Sequence, residues 1–159
     1  MGQLMIIAKY IIDTCSILNQ KSGERYKRSL YKTGWEYIDN CIMQGKIITC
    51  SEIAEEIKDI ELQKWLYSKQ CTILGIDNEI QENVKMIVTE NPEMIKFTKN
   101  GNNSSSGDAF LIATAMSHNL SVITEENKDK QFKIPQICRR YGVQTYSLVD
   151  FWEKEGLVF

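Results

Sequence analysis

Asp13, Glu52, Glu55, Glu56, Asp108 and Glu126 are the side chains with which this chain could do chemistry, because each falls near a junction of strand and helix. Asp13 ends the apolar, β-branched run Met5–Ile12, the pattern of a strand buried on both faces of a parallel sheet. Glu126 comes two residues after Thr124 closes the strand pattern Ser121-Val122-Ile123-Thr124. Asp108 opens a helical pattern in which Asp108, Ile112 and Ala115 share one stripe, and Glu52, Glu55 and Glu56 crowd the first turns of the helix that follows the short strand 46–49. The carboxyl ends of the strands of an open parallel sheet face one crevice, so these acids should converge there. Taken singly, each is explained as well by a helix cap or a surface acid, since 21 Asp and Glu will put some at such places by chance. Jointly, they repel one another unless protonated or neutralised by an oxygen-seeking cation such as Mg²⁺ or Mn²⁺. Such a cation polarises a phosphoryl oxygen and lowers the pKa of a bound water, which permits phosphodiester hydrolysis without a histidine base. That suits a chain whose one histidine, His118, stands before an expected helix C-cap at Asn119, a structural position.

The elements that must position these acids follow from periodicity. Trp35, Ile38 and Ile42 mark a helix ended by Gly45, and strand 46–49 follows. One long helical pattern is expected from Ser51 through Ile53, Ile57, Ile60, Leu62, Trp65 and Leu66, then a strand at 71–74 and a helix at 77–89. The stretch 90–107 collects Asn, Gly, Ser and Pro92, with a mobile loop expected at Asn100–Ser106. Beyond the Asp108 helix and strand 121–124 come a helix at 134–141, a strand at 142–145 and a helix at 147–155, anchored by Phe151 and Trp152. Strands alternating with helices imply an α/β fold with a parallel sheet.

With 159 residues, 43% hydrophobic and 25% charged, one compact domain spanning 1–159 is expected and a disordered chain is excluded. The net charge of −2 excludes a general nucleic-acid coater, so any such contact must be local. The loop Gln20–Arg28, with Lys21, Arg25, Lys27 and Arg28 against Glu24, could steer phosphate toward Asp13, although a solvated loop is the plainer reading; Arg139-Arg140 has a weaker claim. Five scattered cysteines without a C-x-x-C pair suggest neither disulfides nor a zinc knuckle, and reduced thiols fit a cytoplasmic protein. The apolar runs are too short to span a membrane.

Four segments in order, Tyr10-Ile11-Ile12-Asp13-Thr14, Ser51-Glu52-Ile53-Ala54-Glu55-Glu56-Ile57, Gly107-Asp108-Ala109-Phe110-Leu111-Ile112-Ala113 and Val122-Ile123-Thr124-Glu125-Glu126, together resemble a PIN domain. The resemblance covers nearly the whole chain. It implies a Rossmann-like three-layer α/β/α sandwich with a central, mostly parallel sheet, a site for Mg²⁺ or Mn²⁺, and a single-strand-directed ribonuclease; many members are toxins of bacterial toxin-antitoxin pairs. By the resemblance, Asp13, Glu56, Asp108 and Glu126 are the metal ligands, with Glu52, Glu55 and Glu125 as alternates. The small polar residue usual two positions after the first Asp is Cys15 here, so its role would pass to Ser16 or Thr14, and the fourth acid is Glu where Asp is commoner. Ser16, Thr14, Lys21, Arg25 and Arg28 are the substrate contacts expected. The partners so implied are an RNA substrate and an antitoxin protein, with a homodimer a further possibility. Two rival readings are a PIN-fold protein that binds RNA with a decayed site, and a phosphoryl-transfer enzyme using Asp13 as nucleophile. The latter would call for a second Asp where Cys15 stands.

Overall fold

The computed structural model describes residues 7–97, 103–105, 107–130 and 133–159. In chain order its elements are β1 (Tyr10–Ile12), α1 (Thr14–Leu18), α2 (Lys32–Met43), β2 (Ile47–Cys50), α3 (Ser51–Glu56), α4 (Ile60–Ser68), β3 (Ile73–Leu74), α5 (Asn78–Glu90), β4 (Ile95–Phe97), β5 (Asn103–Ser105), α6 (Gly107–His118), β6 (Ser121–Ile123), α7 (Ile134–Arg140), β7 (Thr145–Tyr146) and α8 (Leu148–Lys154). The central sheet runs β3-β2-β1-β6-β7 and every pairing in it is parallel, whereas β4 and β5 form a separate antiparallel pair.

Alternation along the strands builds a core on each face. Ile11 stands opposite Ile48 and Val122, and these three pack with Ile53 of α3, Ile80 and Ile87 of α5, the middle of α6 and Ile137 of α7. Tyr10, Ile12, Ile47 and Ile123 turn the other way, onto Ile17 of α1, Trp35 and Ile38 of α2, Leu62 of α4 and Phe151 and Trp152 of α8. The result is the three-layer α/β/α sandwich expected. Helix α6 is buried on nearly every side, which its run of Ala109, Ala113 and Ala115 permits. Gly34, inside α2, leaves room for the Trp152 indole, whose Nε1 donates to the Gly34 carbonyl at 3.0 Å. Asn119 adopts φ +55° just after α6, the left-handed cap expected of it.

Several boundaries differ from the sequence reading. The first strand begins at Tyr10 and not at Met5: its neighbours start level with it, at Ile47 and Ser121, so before Tyr10 the pairing extends only to Lys9, which donates to Lys46 O and accepts from Ser121 N–H, and 1–6 lie outside the described residues. The single helix expected over 51–66 is two. Ile53 packs on one face of the sheet and Ile57 on the other, and a continuous helix cannot send residues four apart to opposite layers. The chain therefore breaks after Glu56, and Asp59 starts α4 by accepting from the Leu62 N–H at 3.0 Å. Helix α1 was not expected at all. The mobile loop expected at Asn100–Ser106 lies mostly outside the described residues, and its described part is β5. Among the described residues no helix is long and apolar enough to cross a membrane.

Candidate active site

Asp13 stands at the carboxyl end of the central strand, 3% exposed, and caps α1 by accepting from the Thr14 N–H at 2.8 Å. Its Oδ2 accepts from Cys15 Sγ at 2.9 Å and from Thr124 Oγ1 at 3.0 Å. Burial pushes this carboxyl up to about 6, the Cys15 and Thr124 donors hold it back, and the charge of Glu126 pushes it further up. Each donor that touches it is neutral.

Of the three acids of α3, Glu56 is set apart by its contacts. Thr14 Oγ1, one residue after Asp13, donates to Glu56 Oε2 at 3.0 Å. The other oxygen, Oε1, presses on the backbone of Gly107, where an added Cβ would collide with it. Glu56 is thus held between the start of α1 and the start of α6, beside Asp108. Glu52 lies in the first turn of α3, its carboxyl raised by burial and by the charges of Glu55 and Glu56, while Glu55 lines a shallow hollow with Gln63 and Tyr67.

Asp108 occupies the first turn of α6. The buried thiol of Cys138, on α7, is pushed up by burial and then by the charges of Asp13, Asp108 and Glu126, which come from three different parts of the chain. Glu126 Oε2 accepts from the Ile134 N–H at the start of α7, at 3.0 Å. Its own N–H donates to Thr124 Oγ1 at 3.2 Å. Glu125 turns away to the start of α8, where the Leu148 N–H donates to it; burial raises its carboxyl, and that N–H and the Arg25 charge offset part of the rise.

Cys15 fills the position of the expected small polar residue by itself. Besides bonding Asp13, its sulfur lies 3.4 Å from Thr124 Oγ1 and accepts from the Glu125 N–H at 3.3 Å. Of the two alternatives, Ser16 Oγ is buried and has no hydrogen-bond partner among the described residues, whereas Thr14 Oγ1 donates to Glu56. Sequence reasoning missed Thr124 and Gly107 as parts of the site. Thr124 was visible as the polar end of its strand; Gly107, directly before Asp108, carried no signal of what it would face.

The family described as "Domain of unknown function (DUF4411)" matches residues 10–159. The chain belongs to the DUF4411 family. No curated protein matches it in sequence. Among solved structures, this DUF4411 chain is similar to FitAcB from Neisseria gonorrhoeae, with 14% identity over 88% of this chain and 98% of that one and a TM-score of 0.54. It is also similar to DNA-bound VapBC from Salmonella typhimurium, at 16% identity, 89% and 98% coverage and a TM-score of 0.54. A third match is VapBC2 from Rickettsia felis bound to a DNA fragment from their promoter, at 15%, 87% and 97%, and 0.52. At such identity the likeness is one of fold, and the fold is PIN-like.

In the DUF4411 chain the cations expected to meet substrate are divided. Lys21 pairs with Asp59, lowering that carboxyl's pKa. Arg28 is locked into the α2 side: its Nη1 and Nη2 reach Asp39 at 2.7 and 2.9 Å, Nη2 also reaches Gln20 at 2.8 Å, and its guanidinium lies over Trp35 and Trp65. Arg25 is exposed, rests over the Tyr26 ring at 5.3 Å and acts on Glu125.

Among the described residues no three His, Cys, Asp or Glu side chains gather closely enough to form a ready metal cage. The carboxylate oxygens nonetheless suit a hard divalent cation: Asp13 is held by a thiol, a hydroxyl and a backbone N–H, all neutral, and burial with the Glu126 charge raises its pKa.

Proposed function

We propose that this chain is a metal-dependent ribonuclease that hydrolyses phosphodiester bonds of single-stranded RNA, and that it serves as the toxin of a toxin-antitoxin pair. One observation carries the reading: Asp13, a nearly inaccessible carboxylate at the end of the central strand, has neutral hydrogen-bond donors and further acids about it. A carboxylate kept in that state costs stability, which a purely structural role would not repay. Asp13, Glu56, Asp108 and Glu126 would hold Mg²⁺ or Mn²⁺. When bound, the cation supplies charge neutralisation and a water of lowered pKa for attack at phosphorus. The chain's own groups do the rest. Cys15 and Thr124 fix the Asp13 carboxylate, Thr14 fixes Glu56, and the start of α7 fixes Glu126, so the acids are oriented before substrate arrives.

The likeness to FitAcB and VapBC, both named as two-component assemblies, supports a protein partner that restrains the activity. A guanidinium from that partner could neutralise the acids in competition with the metal. Expression of the chain alone in its host should arrest growth, and the adjacent gene should relieve the arrest; unaltered growth would remove the toxin role and leave the chemistry standing.

The chemistry is tested by incubating single-stranded RNA with the wild type in Mn²⁺, in EDTA, and with Asp108→Asn in Mn²⁺. Cleavage is expected only in the first. A wild type that binds RNA equally in EDTA and Mn²⁺ and cuts it in neither would establish the alternative, a binding protein with a decayed site, which the lack of a ready metal cage among the described residues favours. Attack by Asp13 itself on a phosphoryl group is disfavoured, since both its oxygens accept hydrogen bonds in a buried position.

A further inference from the structure

Beside the acids a cleft of about 210 Å³ opens between the end of β6, β7 and the first turns of α7 and α8. Thr124, Glu125 and Glu126 form the side it shares with the acidic site, Lys128 and Arg139 line it as well, and Asp150 of α8 adds a third carboxylate on the far side. Both cations are exposed, and among the described residues neither has a hydrogen bond or ion pair to its charged group. The acids on the shared side do not engage them: Glu125 accepts from Leu148 N–H and Glu126 from Ile134 N–H. Lys128 lies two residues beyond Glu126, and Arg139 follows Cys138, the thiol on which Asp13, Asp108 and Glu126 act.

Three of the other basic candidates are committed elsewhere, while Arg25 rests over Tyr26 and acts on Glu125 from outside the cleft lining. Lys21 is paired with Asp59, Arg28 with Asp39, and Arg140 with the Asn91 side chain. Arg139 and Arg140 are adjacent in sequence and differ completely in employment. A chain of net charge −2 with clustered acids repels a polyanion, so a substrate must be caught by local positive charge close to where it is cut.

We propose that this cleft binds the phosphate of the nucleotide adjoining the cleaved bond of a single-stranded RNA, through Lys128 and Arg139. The proposal rests on the ribonuclease reading and assigns that site a substrate-binding face which the sequence had placed on the Gln20–Arg28 loop. Arg139 supplies a planar fork for two phosphate oxygens and Lys128 a movable point charge, the complementary pair that backbone phosphate recognition uses.

The test measures binding of a labelled single-stranded RNA in EDTA by fluorescence anisotropy from 50 to 200 mM salt, alongside cleavage in Mn²⁺. The chains compared are the wild type, Lys128→Ala, Arg139→Ala, the double variant and Lys64→Ala, which removes an equal charge from the exposed face of α4. Each cleft variant should flatten the slope of log affinity against log salt by about 0.7, and the double variant by about 1.4, while Lys64→Ala keeps the wild-type slope. A double variant with the wild-type slope overturns the subsite, and cleavage by the wild type would in that case leave the nuclease reading intact. A wild type that neither binds nor cleaves the RNA overturns both.

Discussion

Two carboxylates stand at opposite ends of the same central strand, and they are treated oppositely. Near the amino end, Glu155, the C-cap of α8, accepts from Tyr10 Oη at 3.0 Å and Tyr37 Oη at 2.7 Å and pairs with Lys46. Burial raises its pKa, but Lys46 and the two tyrosines outweigh that and hold it below the usual carboxylate range. At the carboxyl end, Asp13 has no such cation among the described residues, and burial wins. Neutral donors orient a carboxylate without cancelling its charge, whereas a lysine does both. The difference separates an acid that ties the terminal helix to the sheet from one that is oriented but not neutralised.

The sharpest way to break this contrast is through activity. Glu56→Gln should reduce RNA cleavage by about 100-fold or more, the scale of losing one charged group that acts on the transition state. Glu55→Gln, on the hollow beside Tyr67, should stay within a few-fold of wild type. Equal losses in the two variants would show that Glu56 has no special place.

A second test uses proton linkage at Asp13 in metal-free buffer. Its folded pKa lies above the unfolded value of 3.8, at about 6, so its contribution to stability is full below 3.8 and is lost as pH rises through 6. Asp13→Asn should therefore unfold at higher denaturant than wild type at pH 8, by at most about 3 kcal/mol, with the gap closing by pH 4. Glu155 has the opposite sign, giving stability present above pH 4.5 and lost as pH falls. A wild-type advantage at pH 8 would mean that Asp13 is not held against its charge.

The third outcome is smaller. Glu155→Ala strands the Lys46 ammonium and two tyrosine hydroxyls, and should cost about 2 kcal/mol, or about 4–8 °C of melting temperature. Cleavage per folded molecule should not change. Thermal melting paired with the RNA assay would expose any coupling between the two ends of the strand.

How much of this could be read in advance depends on the range of the interaction concerned. Asp13 and Glu126 were legible because strand ends are local features, and alternation of strand and helix was enough to give a parallel sheet. The break at Ile57 was not, because its apolar spacing continues smoothly from Ile53, and only the layers reveal that the two residues face different cores. The pairing within the basic loop was hidden for the same reason: Lys21 and Arg28 look available until Asp59 and Asp39, far along the chain or on another element, arrive to pair with them. Cys15 was discounted as a departure from the usual residue, yet a thiol can donate to a carboxylate from the same position.

Gly107 has a consequence for how this protein can be disarmed by mutation. A methyl group there meets only the far end of the Glu56 side chain, which can swing aside, so the backbone and core are left as they were while one acid is displaced. Inheritance then matters as much as chemistry. If the chain is lethal when unopposed, cells that escape it will carry changes at this glycine as well as at the acids, and Gly107→Ala protein recovered from such survivors should accumulate to normal levels, melt like the wild type and leave RNA uncut. Survivors whose Gly107→Ala protein is degraded, or still cuts RNA, would show that the glycine serves the fold and not the site.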